Sequence, residues 1–129
     1  MNWFGVRLIP LSTQPGIMDA NEDQLDELAG EVFGVADLID YQAGAIVSRT
    51  IVDRDDVTVT VFAVDAGQSI SEHTSQHDAI LHVLDGTAHV RIEETESVVE
   101  AGEGLVFPSG KPHALRGEER FKMLLTMTK

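Results

Sequence analysis

A chain of 129 residues fits a single domain, long enough to bury a core without disulfides or a structural metal. Its 22 acids against 9 lysines and arginines give a formal net charge of -13 at pH 7, which repels phosphate backbones and anionic lipid heads and excludes nucleic acid and membrane surfaces as expected partners. The absence of cysteine removes disulfide frameworks and thiolate chemistry, a pattern that fits a cytoplasmic protein.

Met1 to Ile17 contains no acid and one base, Arg7, and Pro10, Pro15 and Gly16 interrupt any periodicity. Residues 1–18 therefore read as a loosely ordered extension. They lack the long apolar run and small-residue cleavage site of a signal peptide. A helix signal begins at Asp19, and residues 19–40 read as an N-terminal helix and connector. Asn21 and Gln24 have capping-box spacing, Leu25, Leu28, Val32 and Phe33 recur at helical spacing, and Gly34 is the expected stop.

From Tyr41 the period becomes strand-like. Val57, Val59 and Val61 alternate with Thr58, Thr60 and Phe62. Further short runs cover Ala45 to Val52, Ala79 to Leu84, Thr87 to Ile92, Ser97 to Glu100, Leu105 to Phe107, His113 to Leu115 and Phe121 to Met127, with turn signals such as Asp85-Gly86 between them. Many short strands predict an all-β, antiparallel sandwich or jelly-roll barrel over residues 41–129. In the final run Phe121, Met123, Leu125 and Met127 share one face and should enter the core, whereas His89 should point outward from the run containing Ala88, Val90 and Ile92. Ala79, Leu81 and Val83 form one set and Ile80, His82 and Leu84 another. Because the second set is also mostly apolar, both faces of this strand should be covered and His82 should be buried or interfacial.

Two segments carry the chemistry: Gly67-x5-His73-x-Ser75 running on to Gly86, and Gly102-x5-Pro108-x-Gly110-x2-His113. Together they resemble the paired motifs of the cupin family, closest to compact single-domain members of the second conserved-barrel type, across roughly Tyr41 to Lys129. The resemblance implies a double-stranded β-helix, or jelly-roll barrel, with a pocket that often holds a divalent metal such as iron, manganese, nickel or zinc. It places metal ligands at His73 and His113. Ser75 stands where the family usually has a second histidine, and Ala79 where it usually has glutamate. A neutral hydroxyl is a poor ligand for such metals and an alanine is none, so half of the usual set of three histidines and one glutamate is missing.

His77, four residues after His73 in the following turn, is a candidate third ligand; the alternative is a solvated turn residue at the barrel mouth. Asp78 and Gln68 are further possible oxygen donors. Ser75 keeps a pocket-facing position. Arg49 shares a face with Val47 and Ile51, and if that face is internal it could bind a carboxylate; otherwise it reaches the rim or pairs with an acid. No serine sits in the strand-to-helix setting of a hydrolase nucleophile.

Cupins also pair through an outer sheet face, so the resemblance implies a homodimer with the Ala79 to Leu84 strand near its interface. Many acids with few lysines resemble the proteins of salt-loving microbes, whose acidic surfaces stay hydrated in concentrated salt. Two functional readings stand together. One is a small-molecule pocket protein, at most weakly metal-binding, with His73 and His113 as polar anchors. The other is a metal-dependent enzyme of dioxygenase or isomerase type using His73, His77 and His113. The incomplete ligand set favours the first.

Overall fold

Where the sequence reads as two strands broken at Asp85-Gly86, the chain forms one. The computed structural model describes residues 24–129 and the backbone of 9–10. In chain order its elements are β1 (Ile9–Pro10), α1 (Leu25–Leu28), a 3-10 turn (Val35–Leu38), β2 (Ile46–Asp53), β3 (Val57–Val64), β4 (Ser69–His73), β5 (Ala79–Ile92), β6 (Thr95–Glu100), β7 (Gly104–Phe107), β8 (His113–Arg116) and β9 (Phe121–Thr128). The strand order is β1-β2-β3-β9-β5-β8-β4, with β6 and β7 also paired to β5. Apart from the parallel β1–β2 contact, every pairing is antiparallel.

The long strand β5 joins the two halves of the barrel. Ala79 to Gly86 pairs with β9, and Ala79 to His82 also with β7, while Thr87 to Ile92 pairs with β6 and His89 to Ile92 with β8. Its register to β9 slips by one residue between Val83 and Asp85. A one-residue bulge turns the alternation over, so Ala79, Leu81 and Val83 face the core before it and Ala88 and Val90 after it. Gly86 makes the bend possible. Its φ is +72°, and a Cβ there would lie 2.2 Å from the carbonyl oxygen of Arg120.

The interior cluster draws Phe62, Val64, Ile70, Leu81, Phe107, Leu115, Phe121 and Met123 from both halves. All four residues expected from the last strand, Phe121, Met123, Leu125 and Met127, are buried there. A second cluster lies on the opposite face of β2 and β3, where Val47, Ile51, Val61 and Ala63 pack beneath Leu38 and Ile39.

The N-terminal helix is much shorter than its periodicity predicts. Among the described residues α-helix is confined to Leu25–Leu28, Gln24 makes no side-chain cap, and Asn21 lies outside the described residues. Gly30 takes a φ of +78° and ends the helical path, and the chain continues as a strap. Of the expected apolar stripe Leu28 packs against the second cluster, whereas Val32 is fully exposed at 103% and Phe33 is exposed at 39%. The short motif follows its anchors instead. The backbone N–H of Gln24 donates to Ile51 O, and Lys122 Nζ donates to Ala36 O at 2.7 Å. Tyr41 donates its hydroxyl to Asp85 at 2.7 Å while Arg120 lies 4.5 Å from its ring centroid. The loosely ordered extension expected at residues 1–18 lies outside the described residues except for the β1 backbone.

Candidate functional site

His73 and His113 meet because of a second bulge. Ser69 pairs with Arg116 and Ile70 with Leu115, but the register shifts before His73, which pairs with His113. Strict alternation from Ile70 would send His73 outward; the extra residue returns it to the inner face. The two rings lie edge to face with centroids 4.4 Å apart, and Phe107 stacks on His113 at 4.5 Å. His113 is buried at 1% exposure and His73 is partly buried.

The two imidazoles are held alike. His73 Nδ1 lies 3.2 Å from the carbonyl oxygen of Ser71, and His113 Nδ1 lies 3.0 Å from that of Lys111, in each case two residues back along the chain. Burial pushes both side chains below the ordinary imidazole value of 6.5; the carbonyl bonds oppose this, and His73 lowers His113 further. Both rings are therefore neutral at pH 7. A carbonyl only accepts, so Nδ1 carries the proton and Nε2 carries the lone pair, and both Nε2 atoms are shielded from solvent.

The remaining sequence candidates do not join this pair. His77 is exposed, and its backbone N–H donates to Ser75 Oγ at 3.1 Å. Ser75 braces the turn: besides that bond, its carbonyl accepts from Gly110 N–H at 2.8 Å. Asp78 accepts from Ser109 N–H at 3.0 Å and so ties the same turn to the loop before His113. Ala79 is buried opposite Phe107 and Met127.

Arg49 does share a face with Val47 and Ile51, but that face belongs to the second cluster outside the barrel. It pairs across the sheet with Val61 and donates to Gln24 Oε1 and, at 2.9 Å, to Leu38 O. Arg49 therefore anchors the strap and is not a pocket residue. His82 is exposed on the outer face, as is Ile80 at 53%, while Leu84 of the same set packs against the second cluster.

A cupin-domain family model matches residues 60–127, just over half of the chain and both motifs. The chain belongs to the cupin family. Among solved structures, this cupin is similar to a conserved protein of unknown function from Streptococcus pyogenes, with 37% identity over 78% of this chain and 88% of that one and a TM-score of 0.74. It is also similar to a cupin superfamily protein from Desulfitobacterium hafniense, at 26% identity over 77% of this chain and 91% of that one, TM-score 0.74. A conserved-barrel domain protein from Leptotrichia buccalis is 35% identical over 75% of this chain and 47% of that one, TM-score 0.72. No curated protein matches the chain.

For a cupin, the test of metal binding is the donor set. Among the described residues no group of three or more His, Asp or Glu side chains is placed to hold a metal. Two imidazoles fall short of the three protein ligands of an ordinary catalytic centre, and the expected His73, His77 and His113 triad is not brought together. The residues present do not fit such a centre.

What sequence reasoning missed lies on the outer face of this cupin. Ser69, Ser71, His89, Arg91, Glu96 and Arg116 surround a depression of about 220 Å3 with Ala114 among its lining. His89 points outward as alternation predicts. Arg91 pairs with Glu72 at 3.3 Å, and Arg116 with Glu96 at 3.5 Å and Glu118 at 3.3 Å, all well exposed and so worth little each. The signal was present in the alternation of these residues, but their cross-strand partners depend on registers that only the folded sheet sets.

Proposed function

We propose that this cupin is a small-molecule pocket protein in which His73 and His113 are the polar anchors, rather than a metal-dependent enzyme. The observation that carries this reading is the pair itself: two neutral imidazoles held by backbone carbonyls, against a core in which no Asp, Glu, Lys or Arg is buried among the described residues. Neutral anchors in an apolar surround orient a small ligand through a few directed hydrogen bonds while its body is held by contact. The enzyme alternative needs His77 or a replacement ligand beside the pair, and the exposed position of His77 does not supply it.

Elemental analysis of untagged protein purified without chelator is expected to find no stoichiometric transition metal. Near-stoichiometric metal that is lost in His113→Ala would overturn the reading in favour of the metal enzyme.

The proposal extends to a homodimer in the cytoplasm. Ile80 and Val106 are direct cross-strand partners on the outer face, 53% and 57% exposed, and a second copy covering them would account for the apolar outer set of β5. Sedimentation at micromolar concentration is expected to show a dimer that Ile80→Lys dissociates; a wild-type monomer would refute it.

A further inference from the structure

Strands β4, β8, β5 and β6 send their alternate side chains outward in two rows. Register aligns Ser69 with Arg116, Arg116 with His89 and His89 with Val98 in one row, and Ala114 with Arg91 and Arg91 with Glu96 in the next. Ala114 carries only a methyl among these longer side chains. The surface therefore sinks over it, between Arg91, Arg116 and the β4 serines Ser69 and Ser71, into the depression of about 220 Å3. From the same strands Ile70, Val90 and Leu115 point into the core, so the depression lies on the opposite face of the sheet from the histidine pair.

The charge here runs against that of the molecule. Arg91 and Arg116 line the depression and Glu96 is its one acid, a local excess of positive charge in a chain of net charge -13. Glu72 and Glu118 approach the two arginines from outside the lining. All three carboxylates hold their guanidiniums at 3.3–3.5 Å, beyond the roughly 2.7–2.9 Å of a strong charge-assisted bond. They are also more than half exposed, so an incoming anion displaces them at little cost.

We propose that this depression is a second binding site, independent of the histidine pair, for a small singly charged carboxylate that also bears a hydroxyl. A carboxylate matches the planar fork of a guanidinium, and two guanidiniums converge here. Glu96 only accepts hydrogen bonds, and the Ser69 and Ser71 hydroxyls donate or accept, so the rest of the ligand must supply a donor. A dianion such as phosphate is disfavoured, because it brings a second negative charge to Glu96 and into the field of an acidic molecule.

Nitrogen-15 correlation spectra of the full-length protein at neutral pH and constant ionic strength test this, with lactate, lactamide, propionate and inorganic phosphate as probes. Lactate should shift the amides of His89, Arg91, Ala114 and Arg116 and saturate at a Kd on the order of a millimolar, about tenfold tighter than lactamide or phosphate. Propionate, which lacks the hydroxyl, should bind more weakly than lactate. Ala114→Leu fills the floor while keeping both arginines, and should abolish the lactate shifts with the melting temperature retained. If that variant melts early, Arg91→Gln, at an exposed position, takes its place and should show the same loss. Equal binding of lactamide or phosphate overturns the carboxylate class, and equal binding of propionate overturns the hydroxyl. Shifts that never saturate, or that survive in the folded variant, mean diffuse attraction to surface arginines and overturn the site.

Discussion

The two motif histidines differ from a solvated histidine in one respect that can be measured, the sign of their effect on stability with pH. The folded state holds both below 6.5, so on acidification the unfolded chain takes up protons first. The stability gained by burying them neutral is fully present above about pH 6.5 and is lost as pH falls through their folded values. Wild-type protein should therefore lose melting temperature below pH 6.5 more steeply than His73→Gln; parallel curves would show that the rings are not held neutral. Arg49 provides a second test. Its loss leaves the buried Gln24 side chain and the Leu38 carbonyl without their donor, so Arg49→Ala should destabilise by about 1–3 kcal/mol in denaturant unfolding, with the histidine resonances unmoved. Movement of those resonances would return Arg49 to the pocket.

At the scale of elements, the two bulges decide where side chains point. The strand at Ala79 to Ile92 looked like two because Asp85-Gly86 is a turn signal, and in the fold that dipeptide lies at the bulge, where the apolar set changes parity. His73 was legible as a motif residue, but its inward direction rests on the β4 bulge, which alternation alone reads the wrong way. Gly86 and Gly67 both take positive φ, yet only Gly86 is crowded by backbone. Gly67→Ala should cost about 1–2 kcal/mol, the left-handed strain of a residue with a Cβ. Gly86→Ala should cost more, because the β5–β9 junction must also move, and equal losses in unfolding free energy would count against a tight crossing there. The helix expected within residues 19–40 is confined, among the described residues, to Leu25–Leu28 for a related reason: helical spacing is a local signal, while the strap follows hydrogen bonds to Ile51, Arg49 and Lys122 that lie far along the chain.

At the scale of the whole molecule, charge dominates. A net charge of -13 on 129 residues opposes compaction by self-repulsion, and the ion pairs on the outer face are too exposed to offset it. Screening should relieve that repulsion, so the melting temperature should rise from dilute buffer to molar salt. A melt independent of salt would remove the case for adaptation to a saline interior. The same repulsion opposes self-association, and the dimer proposed above through the uncharged Ile80 and Val106 pair would have to overcome it.

The sequence by itself determined the family and the barrel, because turn glycines, the two motifs and period-two alternation are written locally and each names the same architecture. It also named the two histidines that matter. Tertiary structure alone decided that they face each other as neutral rings, that His77 and Ser75 serve the turn, and that Arg49 holds the strap outside the barrel. Those outcomes depend on one-residue register shifts and on carbonyls brought close by pairing. Neither the spacing of residues nor their identity carries that information.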